Sequence, residues 1–307
     1  MIAIRLGLYL SLMVLLGLAA FPLYALRKPE RLDDSVLPLR MALTCLAVTG
    51  LLLSAIGFLA LLASMSGNPL SEPDWQTGRA ILFETPIGTA WLIRMVALFA
   101  ALFAALSSRS NESRIVAVTL AGAVALSSLV WTGHAGASEG VLGLAHKASD
   151  ILHMLAAAIW LGGIAAFLLL LRAPTDRSSG NRLVIGHRSL EAFSRVGTIC
   201  VAVIAVTGLI NGQILVGYGN LLNLLDSSYG QLLVVKLLLV GVMMLFAANN
   251  RWRLTPSLSA ALVAGETRPA VASLRSSLLL EGLVAAGILA LVAWFGTLEP
   301  TASMATL

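Results

Sequence analysis

The chain has little of what soluble enzymes depend on. Of its 307 residues, 11% are charged and 6% aromatic, with two cysteines and four histidines. Cys45 and Cys200 both lie inside apolar runs, so a disulfide framework is not indicated. No nucleotide-binding loop occurs, which argues against ATP-driven work by this chain. Long polar stretches that would form a soluble domain are also missing. What remains is apolar: 58% of residues are hydrophobic and the mean hydropathy is +0.92. That balance fits an all-α polytopic membrane protein. The net charge of +5 then follows from topology and says nothing of nucleic acid.

Eight segments are long enough to cross a bilayer, about 20 residues each. They are 4–26, 39–65, 86–107, 114–133, 145–171, 192–216, 229–249 and 274–296. The first has Arg5 before an apolar run to about Ala25, with no obvious cleavage site, and is expected to be a retained span. The longest connection, Asn68–Thr85, contains Pro69, Pro73, Asp74 and Trp75 and is expected to form an ordered cap.

Fifteen of the 20 basic residues flank alternate loops. Arg27, Lys28, Arg31 and Arg40 flank the first, Arg109 and Arg114 the third. Arg172, Arg177, Arg182, Arg188 and Arg195 flank the fifth, and Arg251, Arg253, Arg268 and Arg275 the seventh. The other loops carry Glu72, Asp74, Glu84, Glu139, Asp226 and Glu299 with few positive residues. The positive-inside rule places both termini outside, which in a Gram-negative inner membrane means the periplasm. His187 falls in the basic fifth loop and is expected to be solvated.

The chain also repeats. Gly17–Phe21 (GLAAF) matches Gly163–Phe167 (GIAAF), and Ala47–Leu51 matches Ala205–Leu209 (both AVTGL). Thr85–Gly88 with Arg94 parallels Ser227–Gly230 with Lys236, and Trp131–Gly133 parallels Trp294–Gly296. The matches keep their order, one per helix. They predict two parallel four-helix repeats, 1–133 and 134–307, within a single membrane domain.

Three of the four histidines fall between Trp131 and Trp160. His146, Asp150 and His153 are spaced i, i+4 and i+7, one narrow arc of a helix. His134 precedes them across the glycine-rich stretch Gly133–Gly143. Imidazoles suit transition metals, and a carboxylate can orient a ligating ring. His134, His146 and His153 are therefore expected to converge at the outer mouth, with Asp150 behind them or as an occasional ligand. His146 and His153 are about 10 Å apart along a regular helix, too far to share one ion. Either His146 belongs to a separate capture site, or the helix begins after it.

Within the spans, Asp150, Arg94, Lys236 and Glu281 should face the interior with partners. Lys236 and Glu281 can pair, and Arg94 can neutralise Asp150 or Glu84. These charges either lock the bundle or compensate a cation path, which Asn211 and Gln213 can line. Thr49 and Thr207 are expected to cap carbonyls or pack helices. Cys45 and Cys200, at the inner ends of repeat-related helices, are candidate soft ligands for Cu(I), against the ordinary role of cysteine as a small hydrophobe. Met154, beside His153, and Met65 and Met304 near the outer face are candidate thioether ligands.

Several of these motifs stand together in one pattern. Gly133–Ala135, the His146–Asp150–His153 helix running into Ala157–Gly163, Thr207–Asn211, Tyr229–Lys236, Glu281 and Pro300 resemble the copper resistance protein D family. The resemblance covers essentially the whole chain. It implies an inner-membrane copper transporter rather than an enzyme, moving copper inward. It also implies a periplasmic copper-binding partner of the CopC type, here expected to be a separate chain. No Cys-x-x-Cys motif or histidine-rich tail offers an exit ligand. Two alternatives remain open at this point: a haem-binding redox module with axial histidines, and a copper sensor or assembly factor without transport.

Overall fold

In this computed structural model the described residues are 1–31, 33–107, 112–172, 179–217, 219, 225–296 and 298. Arg109, Arg177, Glu299, Pro300 and Met304, used above, lie outside them. The described residues are helical, with no strand among them. Among the described residues eight helices are long and apolar enough to cross a membrane. They are α1 (Ile2–Ala25), α2 (Leu39–Ser66), α4 (Pro86–Leu106), α5 (Glu112–Ser127, continued by a 3-10 turn to Thr132), α7 (Gly140–Leu170), α8 (Ser179–Leu215), α9 (Ser228–Asn249) and α11 (Arg268–Phe295). Three short helices fall between them: α3 (Trp75–Glu84), α6 (His134–Ala137) and α10 (Thr255–Ala264).

Local chemistry sets the helix starts. Thr85 caps α4 by accepting from the Gly88 N–H at 3.1 Å, with Pro86 at the first position. Ser227 caps α9 in the same way, accepting from the Gly230 N–H at 3.0 Å. Asp74 caps α3, accepting from the N–H groups of Gln76 and Thr77 and from the Thr77 hydroxyl. The Thr77 contacts hold its carboxyl below the usual range. The connection Asn68–Thr85 is thus an ordered cap, as its prolines and aspartate suggest.

Helix limits differ from the hydropathy segments at several places, among them α11, which begins at Arg268. α8 begins well before residue 192, and α9 runs through a π-helical turn, Asn250–Leu254, into α10. Hydropathy marks only membrane-crossing lengths, whereas the polar helix continuations carry Arg182, Arg188 and Arg251. α7 begins at Gly140, so His146 lies inside a regular helix. This removes the alternative in which the helix starts after His146.

Helix α1 is central. It packs on α2, α5, α7, α8 and α11. Its closest approach is to α7. A Cβ on Gly17 would lie 1.9 Å from the Ala158 oxygen, and one on Gly162 would lie 2.2 Å from the Gly17 Cα. Only glycine permits backbones this close, the small-residue mode of association in lipid. Next to the contact, Phe21 and Phe167 meet edge to face at 5.2 Å. Helices α1, α2, α4 and α5 close a ring. In the other group α7 packs on α8 and α11, and α11 on α9, but α8 and α9 are not packed together among the described residues.

The bundle has two chemically distinct ends. At the histidine end, Arg5 donates to the Thr132 carbonyl at 3.1 Å, and its guanidinium lies against Gly296. At the arginine end, Arg31 pairs with Glu112 and Arg188 with Glu30. Ser189 donates there to the Ala25 carbonyl at 3.2 Å.

Candidate metal centre

The polar residues of the Trp131–Trp160 stretch sit at the histidine end, where α6, α7, α8, α9 and α11 meet. Helix α7 presents Ser149, Asp150 and His153 to Thr207 and Asn211 of α8. Ser149 donates to the Thr207 carbonyl at 3.3 Å, and Asn211 Nδ2 donates to Asp150 Oδ1 at 3.5 Å. His153 Nδ1 lies 2.9 Å from Thr207 Oγ1. The Thr207 hydroxyl spends its own proton on the Val203 carbonyl at 2.6 Å. It must therefore accept from His153, which fixes Nδ1–H and leaves Nε2 with a free lone pair. Spacing explains the fit: residues four apart on α8 meet residues three apart on α7, one turn each.

His134, on α6, donates from Nε2 to the Phe295 carbonyl at 3.1 Å, so its Nδ1 carries the free lone pair. Tyr229 packs its ring edge to face on His134, with centroids 6.1 Å apart, and also contacts Phe295 at 5.2 Å. His146 is buried, and its Nδ1 lies 3.0 Å from the Ser138 hydroxyl. Lys147 donates to the Ser138 carbonyl at 2.9 Å, tying the segment before α7 to its first turns.

The three imidazoles therefore turn to three different partners. Among the described residues no three His, Cys, Asp or Glu side chains are grouped to hold one metal ion. His146 and His153 do not share one site, in keeping with their separation along α7, and of the two alternatives a separate position for His146 remains. Their spacing along and beside α7 keeps them in successive positions, each with one ring nitrogen engaged.

Other candidates fall into place less neatly. Lys236 and Glu281 do not pair. The Glu281 carboxylate instead accepts from Trp160 Nε1 and Asn250 Nδ2, both at 2.8 Å. No carboxylate lies within ion-pair distance of Lys236 among the described residues, although its charge and that of Asp150 interact. Arg94 is buried near Tyr9 and pairs with neither Asp150 nor Glu84; its Nε has no partner. Met154 is buried in the hydrophobic core. Cys200 is buried and Cys45 is exposed on α2; neither belongs to a metal-holding group among the described residues.

Neither Trp160, part of the Ala157–Gly163 motif, nor Asn250 stood out as a candidate site residue in the sequence. Trp160 lies in an apolar run, and Asn250 follows Asn249 where a helix end was expected. Only the buried carboxylate between them reveals their role.

The comparisons with known proteins bear on this arrangement. The family model for the N-terminal domain of copper resistance protein D-like proteins matches residues 1–144, and that for copper resistance protein D matches residues 187–295. The chain is 39% identical over 300 residues to copper resistance protein D of Pseudomonas syringae pv. tomato, covering 97% of this chain and 96% of the relative. It belongs to the copper resistance protein D family. Inner membrane protein YebZ of Escherichia coli (strain K12) is 27% identical over 256 residues, 81% of each chain. Copper transport protein CutJ of Bacillus subtilis (strain 168) is 32% identical over 168 residues, 52% of this chain and 29% of the relative. No solved structure matches. For this copper resistance family member, the eight apolar helices and the relatives together describe a copper-related, multi-pass membrane protein. His146, Asp150 and His153 lie between the two matched regions.

Proposed function

We propose that this chain carries copper ions across the bacterial inner membrane, from the periplasm toward the cytoplasm. It acts as a transporter rather than an enzyme and receives copper from a separate CopC-like periplasmic protein. The histidine end faces the periplasm, as do both termini. The observation that carries the reading is the α7–α8 seam. There a half-buried imidazole, His153, is held by a hydroxyl through one nitrogen and keeps the other for a ligand. A hydrogen bond through the other ring nitrogen is how metal-binding histidines are oriented. The copper relatives supply the identity of the metal.

The path is a relay. His146, buried nearer the outer end of α7, captures copper and His153 receives it about two turns further along, with His134 beside Tyr229 guarding the mouth and Asp150 offsetting the charge. The architecture is two parallel repeats, 1–133 and 134–307, related by an axis along the membrane normal. Three contacts support it. The matched phenylalanines, Phe21 and Phe167, face each other between α1 and α7. The matched caps, Thr85 and Ser227, make the same bond. The matched carbonyls of Thr132 and Phe295 each accept from a half-buried nitrogen-bearing side chain, Arg5 and His134.

Direction is tested with oriented membrane vesicles. Right-side-out vesicles holding the protein should accumulate copper when a copper-loaded CopC-like donor is outside. Accumulation only in inverted vesicles would reverse the direction and reject the uptake reading.

A further inference from the structure

The gap between α8 and α9 holds a cavity of about 950 Å³ in the arginine-end half of the bundle. The equivalent helices of the first group, α2 and α4, are packed together. Glu281 lines this cavity and is 2% exposed. Its two oxygens are steadied by Trp160 and Asn250, both neutral donors. No cation is paired with it among the described residues. Asn250 also lines the cavity and is 7% exposed, and its Oδ1 has no partner. It opens the π-helical turn Asn250–Leu254, whose first carbonyl is satisfied by the Thr255 hydroxyl at 2.8 Å. Such turns often mark functional positions, because the widened backbone redirects a side chain.

A buried carboxylate held by neutral donors only, beside an unpartnered amide oxygen and facing a cavity, offers oxygen ligands to a cation. Trp160 lies seven residues beyond His153 on α7, so Glu281 is held about two turns deeper than the histidine. We propose that Glu281 and Asn250 form an oxygen-donor cation site that serves as the release station for the transported copper ion. This rests on the copper-transport reading. Oxygen ligands, few in number, bind copper more weakly than imidazoles do. Conduction needs that gradient, since an ion must be able to leave the last site. Arg195 and Arg251 also line the cavity, and Arg251 donates to Thr198 at 2.8 Å. Their charge disfavours escape of a bare cation and favours collection by an anionic chelator on that side.

The test uses the whole protein in two assays, copper binding in detergent and copper accumulation in vesicles loaded with an anionic thiol chelator. In Glu281→Gln, the weakest copper site should disappear while binding at the histidine end is unchanged, and accumulation should fall roughly tenfold, the scale of losing one charged contact. Glu281→Asp should restore part of both. Unaltered weak binding in Glu281→Gln, or a loss of histidine-end binding with it, would overturn the station and leave Glu281 as a structural brace. A wild-type protein that binds at both places but accumulates no copper would instead reject the transport reading, with the cation site standing.

Discussion

At the residue scale, the account turns on which nitrogen of each imidazole is free. His153 donates through Nδ1 to Thr207, so only Nε2 can meet a metal. Replacing Thr207 with Val keeps the shape but removes the acceptor. Copper affinity should then fall by about 10- to 100-fold, as for other groups that orient metal ligands. Isothermal titration of purified protein checks this, and unchanged affinity would make the hydroxyl a helix-packing feature only. The relay gives His146 and His153 unequal roles. His146→Ala should weaken uptake at low copper and recover when external copper is raised, because capture is a concentration-dependent step. A defect that persists at high copper would move His146 from capture to conduction.

At the element scale, the α1–α7 contact is the most demanding part of the fold. Gly162→Leu must drive a side chain into the Gly17 backbone. Overpacking of this sort costs about 1–3 kcal/mol, and more where backbone must move. The thermal midpoint of the detergent-solubilised protein should drop clearly, whereas Gly212→Ala, in open space on α8, should leave it nearly unchanged. Equal midpoints would mean that the two helices are not in backbone contact. This scale also shows what the sequence could reveal. The eight spans were legible because hydropathy reports the membrane directly. The spacing of Asp150 and His153 also placed them on one face of α7. The α8 partners were only half legible: Asn211 was a candidate cavity lining, but nothing in spacing alone joins Thr207 to His153. The destination of Glu281 was misread, because Lys236 was the nearest opposite charge by helix order, while the indole and amide that hold the carboxylate carry no charge to flag them. The continuation of α9 past Asn250 was hidden for a related reason: the polar residues that mark a membrane boundary do not end a helix.

At the scale of the whole molecule, the two ends differ in kind. The arginine end is closed by side-chain bonds between the halves, Arg188 to Glu30 and Ser189 to the Ala25 carbonyl. The histidine end holds aromatic and imidazole groups around carbonyl acceptors. The proposed topology puts the arginines on the cytoplasmic side and both termini in the periplasm. A reporter fused after Leu307 should be active only if it functions in the periplasm; a cytoplasmic reporter lighting up there would show that the spans have been miscounted. In the proposed repeat α1 is the counterpart of α7, and the positions of α1 that would correspond to Asp150 and His153, near Ile4 and Gly7, offer no ligands.

The most direct measurement is copper accumulation in proteoliposomes containing only this protein, at low external copper, for wild type and His153→Ala side by side. The account predicts time-dependent accumulation by the wild type and none above protein-free vesicles for His153→Ala, with both proteins equally folded by thermal midpoint. Full accumulation by His153→Ala would contradict it, and would leave the α7–α8 seam as a structural joint between helices.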